Sequence, residues 1–180
     1  SSSRTAKCLR WRQPHRQVEV WRSLEYRTAS YAGLQTCGSV WACPVCAAKI
    51  AERRKTEIVS AMTTHKAMGG SVFLLTLTAP HQQVDGIVDL LEKHSTALRS
   101  FWSRRPVKVI LSEMGIIGQI RAAEVTHGRR SPYNNGWHPH HHILCFAGLG
   151  VDPDAFSPVN IKDWSVRLYL QWAACCESAG

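Results

Sequence analysis

Two stretches rich in β-branched and apolar residues, separated by a turn-forming segment, restrict the folds open to this chain. The first is GIIGQIRAAEVTHG at 115–128 and the second is WHPHHHILCFAG at 137–148. The segment between them, RRSPYNNG, is rich in Asn, Gly and Pro, which are typical of hairpin connections. We therefore expect the two stretches to pair as antiparallel β-strands.

The remaining elements place this hairpin in an α+β fold. A strand is predicted for SVFLLTLTAP at 71–80, and helices are predicted from Pro44 to about Met68, over 84–102 and over 161–180. The order after the first helix is strand, helix, strand, strand, helix. It resembles a split β-α-β unit that lacks its final strand.

The domain prediction follows from this order. An N-terminal basic region with a long helix is expected at 1–69, in which QVEVW at 17–21 predicts a short strand. It includes a cysteine zinc knuckle, the name used here for CGSVWACPVC at 37–46 together with Cys8. A domain built on an antiparallel sheet of the split β-α-β type is expected at 70–180. With 44% hydrophobic and 19% charged residues, the chain has the composition of a globular protein rather than a disordered one.

Charge indicates the class of partner. The net charge of +9 and the pI near 9.5 favour a polyanionic partner. They favour nucleic acid over a membrane surface. No stretch approaches the roughly 18 consecutive apolar residues of a membrane helix, and the N-terminus has no signal-peptide apolar segment. We expect a cytoplasmic protein without a membrane partner.

The cysteine spacing predicts a structural metal site. Cys37, Cys43 and Cys46 lie in CGSVWACPVC, and Cys8 offers a fourth thiolate, with His15 as its substitute. Zinc favours closed tetrahedral thiolate sites, and two cysteines spaced as in C-x2-C can bind one ion together. The alternative is that these are small buried thiols.

The histidine cluster in WHPHHHILCF predicts a second metal site. Side chains alternate along a strand, so His140 and His142 share one face while His141 takes the other. His138 joins that pair if the strand continues through Pro139.

Glu124 lies on the neighbouring strand, where an antiparallel hairpin can place it opposite the histidines. A His-His-Glu set leaves coordination positions open, as a catalytic metal requires. The alternative is that the histidines end the strand and bind water.

Taken together, four motifs resemble the rolling-circle replication initiators of bacterial plasmids, within the HUH endonucleases. They are CGSVWACPVCAAKIAERR, FLLTLTAPH, AAEVTHG and GWHPHHHIL, which occur in the family's order and cover most of residues 37–146. The resemblance implies an HUH/RRM-like sheet, and it makes His140 and His142 the metal-binding pair. His141 stands where the family usually has a large apolar residue.

The activity that the resemblance implies is nicking of one DNA strand at a replication origin. In that family a tyrosine attacks the scissile phosphate, which leaves a 5′-phosphotyrosine link and a free 3′-OH. The implied cofactor is Mn²⁺ or Mg²⁺ on the histidine pair, of which imidazole ligation favours manganese. The implied partners are single-stranded or hairpin DNA at an origin and host replication proteins.

This chain departs from the family at the tyrosine. The family's nucleophile sits in a Tyr-x-x-Lys helix downstream of the histidines, whereas Tyr169 lies in YLQW, without the lysine. The favoured interpretation of Tyr169 is that it packs within its helix layer, and it remains a weak candidate for the nucleophile. We expect the 70–180 domain to be truncated before the tyrosine helix and therefore to bind metal and DNA without nicking.

Basic residues near the histidines are the predicted DNA contacts. Arg129 and Arg130 lie in the hairpin connection, beside the proposed metal, where a scissile phosphate needs positive partners. Two other functions stay open: a single-strand transposase of the HUH type, and a zinc-stabilised DNA-binding module without catalysis.

Overall fold

The computed structural model describes residues 3–25, 27–130, 135–148 and 153–180. The chain forms two compact units, Ser1–Ala61 and Met62–Gly180. Among the described residues, no helix is both long enough and apolar enough to cross a membrane.

The first unit contains a two-stranded antiparallel sheet. Strand β1 is Glu19–Ser23 and strand β2 is Thr28–Ala32, with Val20 opposite Tyr31 and Trp21 opposite Ser30. Nearly every side chain of both strands is exposed. In the described part of this unit, the buried hydrophobic side chains are the four cysteines, with Leu9 and Ile50 partly buried against them. This small sheet therefore has no apolar core of its own.

Helix α1, Pro44–Ala67, starts directly at the knuckle. Pro44 suits the first helical position because it has no N–H to leave unpaired and its φ is already near the helical value. Cys46 is the buried residue of this helix. The predicted helix from Pro44 to about Met68 is confirmed.

The second unit is built on a three-stranded sheet. Its strands are β3 Ser71–Thr78, β4 Ile116–His127 and β5 Trp137–Ala147. Its helices are α2 Ile87–Ser103, α3 Arg105–Glu113 and α4 Pro158–Ala179, with short 3₁₀ helices at Gly128–Arg130 and Pro153–Phe156. The strand order is β3-β5-β4, and β5 is antiparallel to both neighbours. The predicted α+β class with an antiparallel sheet is confirmed, as is the β4–β5 hairpin.

One face of this sheet carries the core. Leu77, Ile143 and Cys145 from the strands pack with Phe101 of α2 and Trp172 of α4, all of them buried. Because side chains alternate along β5, the residues between these buried positions point to the opposite face. The histidines at even positions therefore lie on the face that the core does not cover.

Strand β5 runs through Pro139, although proline is rare in a central strand. Pairing of β3 with β5 ends at Thr78 opposite His140, so Pro139 is paired on the β4 side alone, opposite Val125. Its missing N–H therefore costs no bond to β3. Gly136 precedes the strand with a φ of 75°, and a Cβ there would lie 2.7 Å from the carbonyl oxygen of Gln83.

Helix α3 was not predicted. The predicted helix over 84–102 ends as α2 at Ser103, and Arg104 is extended, with φ −65° and ψ 131°. Proline disfavours helical continuation before it but fits a first helical turn, so the chain breaks and restarts just before Pro106. Helix α3 buries Val107 and Ile110, an i, i+3 spacing that is visible in the sequence.

Candidate metal and nucleic-acid sites

The four knuckle cysteines converge on one point. The Sγ of Cys8 lies 3.5 Å from that of Cys46 and 3.7 Å from that of Cys43, and the Sγ atoms of Cys37 and Cys46 are 3.7 Å apart. Four thiolates bound at about 2.3 Å to a tetrahedral zinc lie about 3.8 Å from one another. The spacing fits one such ion, and the fourth member of this group is Cys8 rather than His15.

Backbone amides, burial and neighbouring thiols shift the pKa values of two of these cysteines in opposite directions. The Ser39 N–H donates to the Sγ of Cys37 at 3.4 Å, and mainly for that reason the pKa of Cys37 falls to about 7 despite its burial. The Cys37 N–H donates to the Sγ of Cys8 and lowers its pKa, but burial and the neighbouring thiols outweigh this and raise the pKa of Cys8 to about 12. Four buried thiols cannot all ionise without a cation, so the donor set suits a bound divalent metal.

A second group of ligand atoms forms across the β4–β5 hairpin. Glu124 is directly opposite His140, so both side chains point to the same face of the sheet. The Oε2 atom of Glu124 is 3.1 Å from Nε2 of His140 and 3.2 Å from Nε2 of His142. We call these three residues the triad; their ligand atoms all lie within 4.8 Å of one another.

The Nδ1 atoms of the two triad histidines contact polar atoms of the sheet. Nδ1 of His140 donates to the carbonyl of His138 at 3.2 Å, and Nδ1 of His142 is 3.1 Å from Oγ1 of Thr76 on β3. The carbonyl can only accept, so Nδ1 of His140 carries the proton and its Nε2 presents a lone pair to the carboxylate. The Thr76 hydroxyl can donate or accept, and His142 takes the same tautomer when that hydroxyl accepts. Lone pairs and a carboxylate at this distance need a proton or a metal ion between them, so the donor set fits a divalent cation.

Exposure of the triad is uneven. The side chain of His140 is 10% exposed, whereas those of Glu124 and His142 are 52% and 37% exposed. An ion held here would therefore be anchored on one side by protein and would keep open positions toward solvent. That is the arrangement expected of a reactive metal rather than a structural one.

His138 lies on the same face of the sheet but contacts a different partner. Its Nδ1 is 3.3 Å from Nε2 of His81, a residue that follows β3, and the two rings lie 4.7 Å apart. Burial, and then the neighbouring histidines, lower the pKa of His138. His138 is not part of the triad.

His141 belongs to the opposite face of the sheet, as the strand alternation predicted. Its ring stacks on that of His94, with centroids 4.9 Å apart, and His94 is almost fully buried. Nε2 of His94 lies 3.2 Å from the carbonyl of Leu77, and burial lowers the pKa of both histidines. A neutral imidazole at position 141 thus packs on this side of the sheet.

Tyr169 is on the surface. Its side chain is 66% exposed, so the prediction that it packs in the core is wrong. Trp172, one turn later, is the buried residue, and its Nε1 donates to the carbonyl of Thr78 at 2.6 Å. Tyr169 and His81 line the same shallow surface pocket beside the end of β3.

The two predicted DNA-contacting arginines follow β4 on the 3₁₀ helix Gly128–Arg130. Arg129 is exposed, and its backbone N–H donates to Nδ1 of His127 at 3.0 Å. The side chain of Arg130 lies outside the described part of the chain. Their role in DNA binding remains a prediction.

Sequence reasoning missed His81 and His94, whose rings contact histidines of β5. His81 stands in the quoted FLLTLTAPH motif, where its position just after a strand was the available signal. His94 lies in a helical segment, and its spacing to the apolar Leu90, Ala97 and Phe101 places it on the buried face of α2.

Comparison with known proteins places the chain in a family. The sequence profile of a protein family described as "Replication protein" matches residues 30–163. The chain belongs to this replication protein family, which confirms the resemblance to plasmid Rep proteins. No solved structure matches the chain at a significant level.

Two relatives come from Streptomyces. "Protein rep" of Streptomyces lividans is 33% identical over 183 residues, which covers 82% of this chain and 39% of that protein. "Neomycin resistance protein" of Streptomyces cyanogenus is 33% identical over 150 residues, which covers 68% of this chain and 33% of that protein. The chain thus spans less than half the length of either relative.

Proposed function

We propose that this chain is the metal-binding part of a rolling-circle replication initiator of the HUH type, which cleaves single-stranded DNA at an origin. The observation that carries the proposal is the triad on the open face of the sheet, in a member of the replication protein family. The split order β3-β5-β4 supports an HUH/RRM-like sheet. Family membership favours replication over the alternative of a single-strand transposase.

The proposed mechanism assigns a role to each triad residue. His140 presents Nε2 because its Nδ1 donates to the His138 carbonyl. His142 presents Nε2 when its Nδ1 donates to the Thr76 hydroxyl, and Glu124 adds an anionic oxygen. A divalent ion bound there, Mn²⁺ or Mg²⁺, would polarise an oxygen of the scissile phosphate. Two imidazole nitrogens favour manganese over magnesium, which prefers oxygen ligands.

The covalent step needs a tyrosine. Its oxygen would attack phosphorus, the bond from phosphorus to the 3′ oxygen would break, and the products would be a 5′-phosphotyrosine and a free 3′-OH. Tyr169 is exposed but lacks a lysine three residues later, because Trp172 occupies that position as a core residue. We propose that the nucleophile belongs to the part of the whole protein that this chain does not span, and that this chain alone does not nick.

DNA binding is proposed from charge as well as from the family. Residues 1–61 contain eleven Lys and Arg against four Glu, so they hold seven of the chain's nine net positive charges. Exposed Trp21 and Tyr31 on β1 and β2 offer flat surfaces for unpaired bases. Arg129 and Arg130 are proposed to contact phosphate near the triad, and host replication proteins are the proposed protein partners.

The knuckle is proposed to bind structural zinc, because four buried thiols at 3.5–3.7 Å suit that ion and leave no position open. The knuckle therefore differs from the triad, where a bound ion would keep coordination positions open. A non-catalytic zinc module is the alternative to the initiator, and it would bind one metal through the knuckle alone.

Manganese titration of the zinc-loaded chain tests the triad. We expect binding in the wild type and at least a tenfold loss of affinity in the His140→Ala/His142→Ala double variant, since the remaining carboxylate is a weak ligand alone. The His127→Ala variant is the matched control. Unchanged manganese affinity in the double variant refutes the proposed site.

Nicking is tested with a single-stranded origin oligonucleotide and manganese. We expect no covalent adduct from this chain and a tyrosine-linked adduct from a longer protein that contains it, lost in the double variant. An adduct formed by this chain and abolished by Tyr169→Phe would refute the assignment of the nucleophile. A longer protein that cleaves equally well without His140 and His142 would refute the proposed mechanism.

A further inference from the structure

The contact between His81 and His138 has the geometry of a metal chelate. Nε2 of His81 and Nδ1 of His138 face each other at 3.3 Å. Two imidazole nitrogens that each bind a tetrahedral ion at about 2.0–2.1 Å are separated by about 3.3–3.4 Å. A hydrogen bond between the rings is the other interpretation, and it requires a proton on the facing nitrogen of one ring.

The tautomer of His81 is set by its own backbone. Nδ1 of His81 lies 3.2 Å from the carbonyl oxygen of Ala79, which can only accept, so Nδ1 carries the proton. Nε2 therefore presents a lone pair to His138. Metal-binding histidines commonly donate their second N–H to a backbone carbonyl in this way, which fixes the ring for coordination.

Both residues are anchored by the sheet. His138 is part of β5 and pairs with Thr126 of β4, and His81 follows β3 directly after Pro80, whose ring restricts the backbone. Neither ring is fully buried, so water or another ligand can reach an ion between them. The His138 ring centroid is 5.1 Å from that of His140, so the His81–His138 pair lies beside the triad. The two groups use different nitrogen atoms, because the pair offers Nε2 of His81 and Nδ1 of His138, whereas the triad offers Nε2 of His140 and His142.

We propose that His81 and His138 bind a second divalent ion, adjacent to the triad ion and distinct from it. The class of ion is a transition metal that favours nitrogen donors, such as zinc, cobalt or nickel, rather than magnesium or calcium. With two protein ligands, this ion keeps positions for water or for a phosphate oxygen of bound DNA. The proposal does not depend on nicking activity.

The first test counts metal ions. The chain, loaded with zinc at the knuckle, is titrated with cobalt, and bound metal is measured by elemental analysis. We expect two cobalt equivalents for the wild type, one for His81→Ala, and one for the Glu124→Ala/His142→Ala double variant. His127→Ala, which changes a histidine outside both groups, should keep two.

Two results would overturn the proposal. One is a cobalt stoichiometry in His81→Ala equal to that of the wild type. The other is a single cobalt equivalent in the wild type whose affinity falls in both variants, since that would make one shared site. Thermal unfolding of His81→Ala and of the more conservative His81→Gln verifies that any loss is not due to unfolding.

The second test uses the identity of the nitrogen atoms. Histidine ring nitrogens are observed by NMR during titration with zinc, which is diamagnetic. We expect His138 to be metallated at Nδ1 and His81 at Nε2, whereas His140 and His142 bind through Nε2. A His138 ring that keeps a proton on Nδ1 when zinc saturates the protein refutes the second site, whatever the outcome of the nicking assays.

Discussion

Removing the zinc proposed for the knuckle should unfold residues 1–61 and leave the three-stranded sheet of the second unit intact. In the described part of the first unit, Leu9 and Ile50 are the apolar side chains packed against the four buried cysteines. Even complete burial of both would stabilise the unit by at most about 3 kcal/mol each, or about 6 kcal/mol together.

The proposed zinc would supply the larger contribution. Binding of a structural zinc contributes about 10–16 kcal/mol to folding of small zinc domains near neutral pH. That exceeds the apolar contribution about twofold, so loss of one thiolate should leave the unit without enough favourable free energy to fold. The second unit has its own core around Phe101, Ile143 and Trp172 and needs no metal for it.

Amide hydrogen exchange, followed by mass spectrometry, measures this directly. After a chelator removes the zinc, amides of β1 and β2 should exchange at the rate of an unfolded chain, while amides of β3 and β5 remain protected. Cys43→Ser should behave like the chelated protein, and Cys176→Ser, outside the knuckle, should behave like the wild type. Unchanged protection of β1 and β2 once metal analysis shows zinc-free protein would refute the reasoning.

The remaining predictions concern stability and DNA binding. Phe101→Ala should lower the free energy of unfolding of the second unit by about 3–5 kcal/mol in urea denaturation, because Phe101 is fully buried; a loss below about 1 kcal/mol would contradict the packing. Burial lowers the pKa of His94, so the unfolded chain binds more protons below about pH 6.5 and stability should fall as the pH drops from there toward 5. Urea denaturation across that range should show a shallower fall for His94→Gln, and an equal fall would exclude His94 as a cause. Tyr31→Ala should weaken binding of a single-stranded oligonucleotide, measured by fluorescence anisotropy, by about tenfold, since stacking on one base is worth about 1–3 kcal/mol. Trp21→Ala should have a smaller effect because Nε1 of Trp21 is bound to the carboxylate of Glu19, which repels phosphate, and the opposite ranking would contradict this reasoning.

Local chemistry made part of this protein predictable. The alternation of side chains along a strand placed His140 and His142 on one face and His141 on the other before any fold was known. Turn-forming residues predicted the β4–β5 hairpin, and proline and glycine bounded the knuckle helix. These inferences succeeded because each depends on neighbours within a few positions of the chain.

Register and distant packing were decided only in the tertiary structure. Glu124 meets the histidines because the β4–β5 register sets it opposite His140, and a shift of one residue would have turned it to the other face. Cys8 reaches the knuckle from 29 residues before Cys37, and His81 reaches His138 across 57 residues. The sequence alone thus determined which side chains share a strand face, whereas the folded chain decided which faces meet, because contacts between distant segments depend on the packing of every element between them.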